Sequence, residues 1–175
     1  LELETQLGGY EAGDARMDAI HQAYASVGRL VNARPNQIAF AASATDAYAR
    51  ALSAVEWKPG DVILTTQNDY VSNQIAFLAL QKRFGIELVR ARGEAGFGVD
   101  LDDFEQQLKN RRPRLVAVTH VPTNSGLVQP VATMGLLTRK HSDALYLVDA
   151  CQSAGQLPLD VQTIGCDFLS ATFRK

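Results

Sequence analysis

The side chains best equipped for chemistry follow short apolar runs in the sequence. The run at 38–41 leads into Ala42-Ser43-Ala44-Thr45-Asp46, small residues opening a helical pattern, where free backbone amides and the helix dipole suit a phosphate. The run at 62–65 leads into Gln67-Asn68-Asp69-Tyr70, which offers the aromatic face of Tyr70. After 115–118 comes Thr119-His120-Val121-Pro122-Thr123-Asn124-Ser125-Gly126, with the hydroxyl of Thr123 and the amide of Asn124. Asp149-Ala150-Cys151-Gln152 follows 144–148, and Thr172 and Lys175 follow 167–170. Each cluster alone has an ordinary reading: Ser43 and Asp46 as a capping box, Tyr70 as packing, 119–126 as a polar loop, Asp149 as a turn cap, Lys175 as a solvated lysine. Taken together they supply an anion cradle, a flat aromatic face, hydroxyl and amide donors, a carboxylate and an amine. That inventory suits a phosphorylated, planar, charged heteroaromatic aldehyde.

Secondary-structure elements must bring these clusters to one place. Met17, Ile20, Tyr24, Val27 and Val31 recur at three- and four-residue steps, which predicts an amphipathic helix capped by Asp14 and ending near Asn32. Further helices are expected over 45–56, stopped by Pro59-Gly60, and over 71–83, with Ile75, Leu78 and Phe84 inward. Two more follow, one from an Asp100 cap through Leu101, Phe104 and Leu108, and one over 131–140. Strands are expected at 62–65, 86–89, 115–118, 144–148 and 167–170, and the run at 38–41 reads the same way. Alternation of this kind implies crossover connections, hence an α/β fold, a three-layer α/β/α sandwich around a mainly parallel sheet. Nearly continuous apolar strands are those of a sheet covered on both faces. In such a sheet ligands bind outside the carboxyl ends of the strands, where the clusters fall.

A length of 175 residues suits one domain with its own core. Seventeen basic against 19 acidic residues give a formal charge of -2 with no basic patch, so neither nucleic acid nor an anionic membrane is an expected partner. No apolar stretch approaches the roughly 20 residues of a bilayer span. The amino terminus reads as no secretory signal, and Cys151 and Cys166 have neither a redox nor a zinc spacing, so a cytoplasmic location is expected. No metal site is expected, because His21, His120 and His141 lack ligand spacing. Gly93 to Gly98 has the spacing G-x-x-G-x-G, the reverse of a dinucleotide fingerprint, and reads as a turn. Arg111-Arg112-Pro113-Arg114 reads as a solvated turn.

The segments Val148-Asp149-Ala150-Cys151-Gln152-Ser153, His120 through Gly126, and Ser170-Ala171-Thr172-Phe173-Arg174-Lys175 resemble the cofactor motifs of class V aminotransferases. These are fold-type-I pyridoxal-phosphate enzymes, among them cysteine desulfurases, selenocysteine lyases and isopenicillin-epimerase-like proteins. The resemblance runs from about Phe40 to Lys175 and implies the large, cofactor-binding domain of such an enzyme. It implies that Asp149 pairs with the pyridine nitrogen, that Gln152 and Thr123 or Asn124 lie near the phenolic oxygen, and that Tyr70 stacks on the ring. By the same resemblance Ala44, Thr45 and Thr172 meet the phosphate, and Lys175 forms the internal aldimine and moves the substrate's α-proton.

The activity so implied is transamination or related chemistry on an amino-acid substrate, with carbon–sulfur or carbon–selenium lysis as the alternative, in a homodimer. The family has Gly where this sequence has Phe173. Family members begin earlier and continue into a smaller domain that carries the substrate-carboxylate arginine and the desulfurase cysteine. Residues 1–175 are therefore expected to be a partial large domain, inactive alone, and the remaining alternative is a non-catalytic fragment or structural module. Cys151 is expected to be a buried thiol rather than the nucleophile.

Overall fold

Parallel pairing organises most of the chain. The computed structural model describes residues 1–94 and 98–173, so Lys175 and its neighbour Arg174 lie outside the described residues. Two compact units are present, Leu1–Ala39 and Phe40–Lys175.

The first unit is helical. It holds α1 (Glu2–Leu7), α2 (Gly9–Asp14), α3 (Met17–Val31) and a 3₁₀ turn at Pro35–Gln37. The first two helices carry no apolar stripe that a sequence reading could detect. Asp14, expected to cap α3, instead closes α2, and Arg16 occupies the cap position without a side-chain bond. The chain turns back sharply at the end of α3, where a Cβ on Gly28 would lie 2.6 Å from the Ala33 carbonyl oxygen. Only glycine tolerates that approach.

The second unit runs α4 (Ala44–Ser53), β1 (Val62–Thr66), α5 (Val71–Phe84), β2 (Glu87–Ala91), β3 (Gly93–Glu94), β4 (Gly98–Val99) and α6 (Leu101–Arg111). It continues through β5 (Leu115–Thr119), α7 (Val131–His141), β6 (Leu145–Asp149), α8 (Val161–Ile164) and β7 (Phe168–Ser170). Among the described residues five strands make one parallel sheet in the order β2-β1-β5-β6-β7, with registers such as Thr119 opposite Asp149 and Asp149 opposite Ser170. β3 and β4 pair antiparallel, Gly93 opposite Val99 and Glu94 opposite Gly98, while residues 95–97 of the Gly-rich segment read as a turn lie outside the described residues.

Apolar side chains leave both faces of the sheet. On one, Ile63, Leu115, Ala117 and Leu147 pack with Tyr48 and Leu52 of α4 and Phe77 of α5. On the other, Tyr146 reaches α7, its hydroxyl donating to the Val131 carbonyl at 2.9 Å. A Cβ on Gly135 would collide with the Ile164 carbonyl oxygen, so a glycine lets α7 pack against α8. The expected three-layer architecture is the one observed.

Two local expectations fail. The run at 38–41 joins no strand among the described residues: Ile38 N–H instead donates to the Pro35 carbonyl, and Phe40 stays 48% exposed. An apolar run becomes a strand only where a neighbour offers a ladder. On α5 the inward face holds Asn73 and Phe77, with Ala76, Leu80 and Phe84 packed beside them, while Ile75 and Leu78 are 61% and 52% exposed. The pull that turns the helix is polar, since burying Asn73 satisfies carboxylates beneath it.

Candidate active site

The strand order reverses between β1 and β5, because the chain leaves β1 for β2 on one side and returns to β5 on the other. A crevice at the carboxyl ends of the two strands follows from that reversal. Thr65, Thr66, Asn68 and Asp69 leave β1 there, Thr119 and His120 leave β5, and Asp149 ends β6 beside them.

Asp149 is 4% exposed. Its Oδ1 accepts from the Cys151 N–H at 2.9 Å and its Oδ2 from Asn73 Nδ2 at 2.9 Å. A carboxylate has about four lone-pair positions, so acceptor capacity remains on both oxygens. Asp69, just across the crevice, is saturated. Its Oδ1 accepts from the Tyr70 N–H at 2.7 Å, Asn73 Nδ2 at 3.1 Å and the Thr119 hydroxyl at 2.5 Å. Its Oδ2 accepts from Gln74 Nε2 at 2.6 Å and the Thr65 hydroxyl at 3.3 Å. Burial nevertheless pushes the Asp69 carboxyl above its ordinary value, against those lowering bonds.

Tyr48 stands in the field of both carboxylates. Burial first, then the charges of Asp69 and Asp149, pushes its phenol well above the ordinary value, so it stays a protonated donor. Its hydroxyl is buried with no hydrogen-bond partner among the described residues. A buried donor without a partner among the described residues, in the field of a carboxylate with spare capacity, is the kind of exception that marks a polar site.

The other expected residues surround this centre. Gln152 Nε2 donates to the Thr123 hydroxyl at 2.8 Å, so those two meet, and Asn124 lies exposed in the same loop. Gly126 closes that loop, its N–H donating to the Pro122 carbonyl at 2.8 Å. Tyr70 caps α5 and is 41% exposed, leaving much of its ring uncovered. Ser43 caps α4 by accepting from the Asp46 N–H at 3.1 Å, and Asp46 reaches back to the Ala42 N–H at 3.3 Å, so the capping reading holds as well. Ala44 and Thr45 form the first turn of α4. The Ser170 hydroxyl donates to the Ala44 carbonyl at 3.4 Å, which ties the end of β7, and Thr172 just beyond it, to that helix start. Phe173 is 63% exposed and leans on Phe40 with ring centroids 6.3 Å apart. Cys151 is half-buried rather than buried.

Sequence reading missed Asp69, Asn73, Thr119 and Tyr48. The available signal was Asp69 just ahead of the Tyr70 cap and Asn73 in the first turn of α5, close behind a strand. His120 was set aside as a ligand and serves the frame: its Nδ1 lies 2.9 Å from the Ser153 hydroxyl, its N–H donates to the Asp149 carbonyl, and burial lowers its pKa. Among the described residues no His/Cys/Asp/Glu group is arranged to hold a metal.

The residues present fit pyridoxal phosphate on these observations: a buried carboxylate with free acceptor positions for a ring N–H, and a helix start tied to the end of β7. A parallel sheet whose strand order reverses between β1 and β5, with a buried carboxylate at the end of β6, is the frame of a doubly wound α/β fold. Residues 5–175 match the family described as Aminotransferase class-V, and the chain belongs to that family. It is 33% identical over 174 residues to a probable cysteine desulfurase of Synechocystis sp., covering 96% of this chain and 40% of that protein. A cysteine desulfurase from Thermococcus onnurineus NA1, solved in the apo state, superposes with a TM-score of 0.85 at 26% identity, over 92% of this chain and 40% of its own. The cystine C-S lyase C-DES, solved with its reaction product cysteine persulfide, gives 0.84 at 27% identity over 94% and 44%. The chain thus spans about 40% of the length of the curated relatives it matches.

Proposed function

We propose that the protein carrying this chain is a pyridoxal-phosphate enzyme that cleaves a carbon–sulfur bond of a cysteine-type amino acid. The sequence resemblance leads with transamination; relatives described as a probable cysteine desulfurase and a cystine C-S lyase favour the lyase alternative. Residues 1–175 would form part of the large, cofactor-binding domain. The observation that carries the reading is Asp149, buried at the end of β6 and, among the described residues, bonded to two neutral donors.

When bound, the cofactor supplies an electron-accepting ring that weakens bonds at the substrate's α- and β-carbons. Asp149 would hold the proton on the ring nitrogen and so keep the ring electron-poor. Gln152 and Thr123, already joined, would meet the phenolic oxygen, with Asn124 beside them. The first turn of α4 at Ala44 and Thr45, with Thr172, would take the phosphate, whose charge suits a helix N-terminus. Tyr70 would cover one ring face. Lys175, outside the described residues, would hold the cofactor covalently and move the α-proton. A homodimer follows from family resemblance. A cytoplasmic location is part of the same reading, resting on cysteine spacings with neither a redox nor a zinc pattern; no described helix is long and apolar enough to cross a membrane.

The test uses the full gene product. Incubation with pyridoxal phosphate and borohydride should add the reduced cofactor's mass at Lys175, and cysteine should yield sulfide or a persulfide faster than a keto acid forms from other amino acids. No added mass overturns the reading, and keto-acid formation without sulfur release returns it to transamination. The 175-residue chain alone is expected to show no turnover.

A further inference from the structure

We propose that Asn73 is a positioning residue whose single amide, locked by Asp69 and Thr119, aims the Asp149 carboxylate at the ring nitrogen of a bound pyridine cofactor. The inference rests on the proposed function and deepens it.

Asn73 lies in the first turn of α5 and is 4% exposed. Its Nδ2 faces three oxygens: Asp149 Oδ2 at 2.9 Å, Asp69 Oδ1 at 3.1 Å and Thr119 Oγ1 at 3.4 Å. An amide nitrogen has two hydrogens, and the two short contacts to carboxylates take them. Two carboxylates on one side also settle which end of the amide points inward, since the carbonyl end would repel both. Thr119 donates its own proton to Asp69, which therefore accepts from three donors on Oδ1 and cannot turn away. Asp69 itself is anchored from α5 by Gln74, and Arg90 holds Gln74 from β2 at 2.7 Å.

The chain of contacts ends on Asp149. One of its oxygens is pinned by Cys151 N–H and the other by Asn73, so the carboxylate plane is fixed and its free lone pairs have a fixed direction. Tyr48, whose phenol stays protonated, stands in the field of the pair. Holding two carboxylates close through one bridging amide costs stability on electrostatic grounds, and such an arrangement is expected where orientation of one of them serves a ligand. A packing role alone would be met by an apolar side chain at position 73, as at Phe77 one turn further on.

The test compares two probes bound to the full gene product: pyridoxal phosphate and its carbocyclic analogue with C–H in place of the ring nitrogen. The wild type should prefer pyridoxal phosphate. In Asn73→Ala that preference should shrink about tenfold, the scale of one hydrogen bond to a charged group, with affinity for the analogue within about twofold of wild type. Asn73→Asp, nearly the same shape, covers the case in which the alanine variant fails to fold. Its introduced carboxyl faces Asp69 and Asp149, so it repels them when ionised and can donate when protonated, and its affinity relative to wild type should rise as pH falls. Unchanged preference in a folded variant, equal loss for both probes, or a pH-independent ratio for Asn73→Asp overturns the inference and leaves the proposed function standing. A wild type that binds neither probe overturns both.

Discussion

Asp103 and Asp149 are both buried near carboxyl ends of strands in one sheet, at 6% and 4% exposure, and they are held in opposite ways. Asp103, at the outer corner, accepts from the Arg92 N–H just past β2 at 2.8 Å and lies 3.3 Å from the Arg92 guanidinium. Its own backbone N–H is capped by Asp100 at 2.9 Å. This carboxylate is charge-compensated by the chain's own cation and secures the start of α6. Asp149, in the centre, is met among the described residues by an amide side chain and a backbone N–H. A buried charge without a counter-charge is unfavourable, so a site that maintains one is adapted to a positive group from outside the described frame. The corner carboxylate secures the fold, and on the proposed function the central one serves a ligand.

The comparison is broken most directly by exchanging charge for amide at each position. Asp149→Asn should weaken pyridoxal-phosphate binding about a hundredfold, near the upper range for a hydrogen bond to a charged group, while the cofactor-free melting temperature moves little. Equal cofactor affinity in that variant would remove the distinction. A smaller effect is expected from Asp103→Ala: a loss of about 1–2 kcal/mol of stability, discounted because Arg92 is two-thirds exposed, with cofactor affinity unchanged. Chemical denaturation and cofactor titration on the same samples separate the outcomes.

The corner could be anticipated from sequence and the centre only in part. Asp100 in front of Leu101, Phe104 and Leu108 is a local signal, and the cap is where local reasoning expects it. The five parallel strands were legible for the same reason, since each is a short apolar run bounded by polar residues, and observed ends differ from expected ones by one or two residues. Asp149 and Gln152 stood out through motif resemblance. Asn73 did not, because its role depends on oxygens 46 and 76 residues away in sequence, and no local pattern encodes a partner at that distance. The same long-range contact explains the reversed face of α5: hydropathy favoured Ile75 and Leu78 inside, whereas bonds to Asp69 and Asp149 draw Asn73 inward. The helices before α3 left no signal, as neither has an apolar stripe to bury.

Asp69 sharpens the comparison because it lies between the two cases, saturated with donors like Asp103 yet, among the described residues, without a cation in contact, like Asp149. Burial, its largest influence, raises its pKa above the ordinary 3.8, while bonds from Thr119, Asn73, Gln74 and the Tyr70 N–H oppose the rise. The folded chain therefore retains a proton at pH values where the unfolded chain has lost it. Asp69's contribution to stability is then greatest below 3.8 and declines as pH rises through the window up to the raised folded value. Asp69→Asn has nothing to titrate there, so the variant's stability relative to wild type should increase modestly from pH 3.5 towards neutrality, as read by urea denaturation at several pH values. The opposite slope would mean that the donors outweigh burial, and Asp69 would then belong with Asp103 as a carboxylate that stabilises the fold. The expected slope makes it a carboxylate kept at some cost, which is what a residue retained to lock Asn73 should be.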